Sequence, residues 1–161
     1  MSHVVEVDND GVGVPLTRRR VAAIARGVLR AEAVRDARLS ITFVSNRRIA
    51  ALNRRHLGHG GSTDVISFEL ARATRHAPIA GDIYIAPDVA RRNAAEHGAS
   101  FSEELTRLVV HGVLHVLGFD HPNGRSRIAS RMWHRQEELV QALARRARGR
   151  TRKSGSARSA A

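Results

Sequence analysis

Along the chain, apolar positions fall into four short runs at strand spacing and five longer ones at helix spacing, with no internal repeat. Val4 to Val7 reads as a short strand. From Thr17, placed to cap a helix, Val21, Ile24, Ala25, Val28 and Leu29 recur on one face through about Ala33. Arg38 to Val44 alternates, with Leu39, Ile41 and Phe43 on one side, and Ser45 then opens a helix carrying Ile49 and Leu52. Gly58 to Gly61 ends that helix. Val65 to Leu70 and Asp82 to Ala86 predict two more strands, joined by a loop containing Pro78 and Gly81. Pro87 suits the first turn of a helix running to about His97, with Gly98 as its terminator. Ser100 and Glu103 have capping-box spacing. The helix they open carries Leu105, Leu108, Val109, Val113 and Leu117 around much of its circumference, which predicts a position deep in the protein. A last amphipathic helix is expected over about Arg125 to Ala144.

The helix expected to be deepest ends in His111, His115 and His121, spaced i, i+4 and i+10, with Gly118 between the second and third. Residues four apart project from one helix face, and a glycine can end the helix in a left-handed conformation that returns the chain toward it. Three neutral imidazoles then converge. Zinc accepts such a set, and three protein ligands leave a fourth tetrahedral position open, as in catalytic sites. One zinc per chain is therefore expected. The same spacing occurs in zinc proteases of the HExxHxxGxxH type, but there a glutamate follows the first histidine and takes a proton from water. Gly112 has no such group. Met132, beside Trp133 at the start of an amphipathic stretch, reads as core rather than as a Met-turn.

A chain of 161 residues corresponds to about one domain. Apolar residues make up 42% and aromatic ones only 4%, so the core is expected to be aliphatic. With no cysteine, disulfides and thiolate ligands are excluded, and His, Asp and Glu are the strong metal ligands available. The acidic residues near Met1 do not suit a signal peptide, and no apolar run approaches the roughly 18 residues of a membrane span. A cytoplasmic protein without a membrane partner is expected. The formal net charge is +12, and Arg145 to Ala161 holds seven basic residues and no acid. Two segments follow, residues 1–144 as the folded domain and 145–161 as a basic tail with order ending near Arg148. Since the first segment is also net positive, a polyanion partner is favoured.

The stretch His111 to His121 resembles HGxLHxxGYDH, the signature of the YbeY family of bacterial endoribonucleases, with Phe119 in place of tyrosine. Leu52-Asn53, Thr63-Asp64-Val65-Ile66-Ser67-Phe68 and Gly81-Asp82-Ile83 resemble further motifs of that family, in its order. The resemblance covers about Val4 to Leu143 and omits the basic tail. It implies an α+β single domain, with a mixed sheet of about four strands packed by about five helices and the ligand-bearing helix central. It also implies a zinc held by His111, His115 and His121 in a basic cleft, with single-stranded RNA as substrate. The pathway implied is maturation of the 3′ end of 16S ribosomal RNA and quality control of the small ribosomal subunit, whose assembly factors become partners.

After Leu52-Asn53 and two variable residues, here Arg54 and Arg55, the family has an aromatic residue and then an arginine that assists cleavage; here those two positions are His56 and Leu57. Leucine cannot neutralise a phosphate. Either Arg54 or Arg55 supplies the cation, or cleavage is weak, or the protein acts chiefly in ribosome assembly with a structural zinc. A zinc hydrolase of another substrate, including a peptidase, is the third class. The sequence offers no clear general base. Asp120 is expected to orient a liganding imidazole rather than to transfer a proton, while Asp64 and Asp82 suit either role or the capping of turns. His56 and His59 read as surface histidines more readily than as auxiliary ligands.

Overall fold

The computed structural model describes residues 1–57, 63–121 and 130–158. Four strands form one mixed sheet in the order β1-β2-β4-β3, with β1 (Ser2–Asn9), β2 (Asp36–Phe43), β3 (Val65–Leu70) and β4 (Ile79–Ile85). β1, β2 and β4 are parallel, and β3 closes the edge antiparallel to β4. Among the described residues five helices surround the sheet: α1 (Arg18–Ala31), α2 (Asn46–Leu57), α3 (Pro87–His97), α4 (Phe101–Val116) and α5 (Arg131–Arg158). The α+β architecture, the strand number and the helix number all agree with expectation.

Three of these helices begin where a capping side chain dictates. Thr17 Oγ1 accepts from the Arg20 N–H at 3.1 Å, Ser45 Oγ from Arg48 at 3.2 Å and Ser100 Oγ from Glu103 at 3.1 Å. Gly98 ends α3 in the left-handed region at φ 65°. β1 is longer than its apolar alternation, because Ser2 to Asn9 pair in full register with Asp36 to Phe43. Backbone pairing needs no apolar side chains at the strand ends.

Period-two alternation divides the sheet between two layers. Leu39, Ile41, Phe43, Ile83 and Ile85 join the main core with α1, α4 and α5, whereas Ile66, Phe68 and Tyr84 meet Ile49 and Leu52 of α2 on the opposite face. α4 lies at the centre, touching α1, α3, α5, β3 and β4. Val109, Val110, Val113 and Leu114 are all inaccessible to solvent there.

Two expectations are corrected. Gly81 lies inside β4, paired with Leu39 and Glu69, and not in the loop before it. A Cβ at Gly81 would fall 2.5 Å from Val116 Cγ1 and 2.9 Å from the Phe68 carbonyl oxygen, so glycine here marks a close approach of helix to strand rather than a turn. α5 runs on to Arg158, past Ala144 where the last helix was expected to end. Alanine and arginine are strong helix formers, and the lack of large apolar side chains from Arg145 onward denies the segment a core without stopping the helix. None of residues 141–152 is buried. The expected start of that helix at Arg125, and the stop at Gly58 to Gly61, lie outside the described residues.

Candidate metal centre

α4 presents His111 and His115 one turn apart, and the chain then reverses. The Gly118 N–H donates to the His115 carbonyl at 2.9 Å, the Phe119 N–H donates to Leu114 at 3.0 Å, and Gly118 sits at φ 93°. Glycine takes that conformation without a Cβ penalty, so the helix can end and turn within two residues. His121 returns to the pair. The ring centroids are 4.7 Å apart for His111 and His115, and 5.1 Å from each to His121. One ligand nitrogen from each ring lies within 4.8 Å of the other two. His111 is buried and the other two are half-buried, so the cluster is walled by protein at one corner.

The donor set suits a divalent ion of borderline softness such as zinc, which takes neutral imidazole at about 2.0–2.1 Å and spaces tetrahedral ligands about 3.4 Å apart.

Behind His111 stands a residue the sequence reading missed. Gln136 of α5 is 1% exposed, and its Oε1 lies 2.7 Å from His111 Nδ1. Its Nε2 donates to Glu137 Oε1 at 3.2 Å, and Glu137 receives Arg107 Nε at 2.7 Å and Nη2 at 3.2 Å. Arg107 also reaches Glu103 and Glu104. The hydrogen bond to Glu137, against the cost of burial, raises the Arg107 pKa and holds its guanidinium firmly charged. The signal for Gln136 was available: it is the one polar member of the apolar stripe Met132, Leu139 and Val140. A buried amide on a core stripe needs a partner.

A cavity of about 480 Å³ adjoins His111 and Gln136, with Asp64, Asn93, Arg107 and Trp133 among its walls. Asp64 Oδ2 accepts from Asn93 Nδ2 at 3.3 Å, and its carbonyl from the Ala86 N–H at 2.9 Å. Asp82 lies mid-strand, accepting from Ser40 Oγ at 2.6 Å on the sheet face turned away from α4. Asp120 Oδ1 accepts from the His121 backbone N–H at 2.8 Å, so this bond fixes the returning loop rather than a ring. Arg54 and Arg55 are exposed on the last turn of α2. The His56 ring meets Phe68 edge-on at 5.0 Å. His59 lies outside the described residues.

Comparison with known proteins places these features in a context. A family model described as Endoribonuclease YbeY matches residues 6–144. A protein of Anaeromyxobacter sp. (strain Fw109-5) named Endoribonuclease YbeY is 40% identical over 124 residues, 77% of this chain and 64% of that one, so the chain spans under two thirds of this relative. Another of the same name, from Syntrophus aciditrophicus, is 32% identical over 142 residues, 86% of this chain and 89% of its own. The solution structure of TM1509 from Thermotoga maritima superposes with a TM-score of 0.58 at 24% identity, covering 91% and 93% of the two chains, a likeness of fold.

Proposed function

The chain belongs to the Endoribonuclease YbeY family, and on that premise we propose that it is a metal-dependent endoribonuclease acting on single-stranded RNA. The observation that carries this reading is the convergence of His111, His115 and His121 at the Gly118 turn. The metal is zinc, one per chain, held by these three residues. Bound there, it supplies Lewis-acid stabilisation of charge on a phosphoryl oxygen and a lowered pKa for water. His111 anchors the cradle through Gln136, and His115 and His121 close it from the half-buried side. The net charge of +12 draws a polyanion toward the protein. Arg54 and Arg55 hold backbone phosphates, and Asp120 keeps the loop of His121 in place.

The physiological substrate is the precursor of 16S ribosomal RNA, matured at its 3′ end, with the small ribosomal subunit and its assembly factors as partners in the cytoplasm. Among the described residues no helix is long and apolar enough to cross a membrane. Residues 1–144 form the catalytic domain, and 145–161 an accessory basic segment.

Leu57, at the position of the family's arginine, favours a second reading in which the protein assists ribosome assembly around a structural zinc. Metal analysis paired with an RNA cleavage assay on wild type and His115→Ala separates the two. The endoribonuclease reading expects stoichiometric zinc and cleavage in the wild type, both lost in the variant. Stoichiometric zinc without cleavage, with unfolding on chelation, is the signature of the structural role.

A further inference from the structure

We infer that Gln136, locked by Glu137 and Arg107, is a positioning residue that fixes the tautomer of His111 and thereby turns its Nε2 lone pair toward the metal. The inference rests on the metal-centre reading above and adds residues from α5 and from the preceding turn of α4.

The direction of every hydrogen bond in this chain of contacts follows from donor chemistry alone. A carboxylate only accepts and a guanidinium only donates. Glu137 takes both of its strong bonds from Arg107, Nε to Oε1 and Nη2 to Oε2. Gln136 lies 3.2 Å from the same Oε1, so the group facing Glu137 has to be the amide NH2. That choice leaves the amide oxygen facing His111 Nδ1 at 2.7 Å. An oxygen acceptor demands a proton on Nδ1. The neutral ring then carries its lone pair on Nε2, the form a divalent cation takes.

Burial makes this arrangement sharp. Gln136 is 1% exposed and His111 6%, and between two side chains so little exposed the alternative tautomer would set two lone pairs face to face. The lock is also built into the packing of two helices. Arg107 precedes His111 by one turn on α4, while Gln136 and Glu137 are adjacent on α5, so the docking of α5 on α4 and the orientation of His111 are one structural event.

The test uses the full chain and two variants. Gln136→Met keeps the volume and removes the acceptor; Glu137→Gln, at a residue only partly buried, keeps the acceptor and releases the lock. Nitrogen NMR of histidine-labelled, metal-free protein reads the tautomer, and competition against a chelator reads zinc affinity. In the wild type, His111 is expected as a single Nδ1–H form. In Gln136→Met it is expected as a mixture, with zinc affinity lower by about 10–100-fold. Glu137→Gln moves both readouts in the same direction by less, and carries the test if Gln136→Met does not fold. A residue that merely joined two helices would shift the thermal midpoint and leave the tautomer alone. An unchanged tautomer and unchanged zinc affinity in either folded variant would overturn the inference. Wild-type protein that binds no zinc would overturn the metal reading instead, a separate result because the tautomer is read without metal.

Discussion

Gly112 lies flush against Ile83: a Cβ built on the glycine would fall 2.6 Å from Ile83 Cγ2, a side chain wholly inside the core. The Gly112 carbonyl also receives the Ser67 hydroxyl at 3.3 Å. The position where zinc peptidases carry their general base is here the contact surface between α4 and β4. Gly112→Ala is expected to cost about 1–3 kcal/mol of stability through overpacking. Urea denaturation measures it, and a variant as stable as wild type would show that α4 can lift from the sheet without penalty.

Gly81 makes the matching contact two residues earlier on β4, against Val116 and the Phe68 carbonyl. Here one of the opposing atoms is backbone and cannot turn away. Gly81→Ala is therefore expected to destabilise at least as much as Gly112→Ala and to loosen the pairing of β3 with β4. Hydrogen exchange at Phe68 and Glu69 would register that loosening, and protection equal to wild type would contradict it.

The elements were legible where one local rule governs them. Thr17, Ser45, Ser100, Pro87 and Gly98 mark helix ends through contacts within a few residues, and the structure has them there. The histidine triad was equally local, since helix periodicity and one left-handed glycine bring the rings together. What could not be read was long-range. Gly81 resembles a loop residue until Val116 is packed against it, and Gln136 is one more helix glutamine until His111 is found 25 residues away along the chain. Asp82 looked available for chemistry, but strand pairing gives it to Ser40.

Arg54 and Arg55 project from the end of α2 into solvent. If they hold phosphates, replacing each by glutamine should lower the slope of log affinity against log salt for single-stranded RNA by about 1, with zinc content unchanged. Filter binding over a salt series tests this. An unaltered slope would make the pair a solvated helix face.

Core contacts of α5 end at Val140 and Leu143. Deleting residues 145–161 should therefore change unfolding stability by no more than about 0.5 kcal/mol, as for surface changes generally. The same deletion removes seven basic residues and should flatten the salt dependence of RNA binding. Calorimetry of the truncated protein decides the first point, and a loss of several kcal/mol would place the segment within the folded domain.

The most direct measurement is a titration: chelator-stripped protein receives zinc while cleavage of a single-stranded RNA is followed. Cleavage is expected to be absent at the start, to rise with added zinc, and to saturate at one ion per chain. His115→Ala should stay flat throughout. Cleavage by the stripped protein at the full rate, or an undiminished zinc response in His115→Ala, would contradict a nuclease built on this histidine triad.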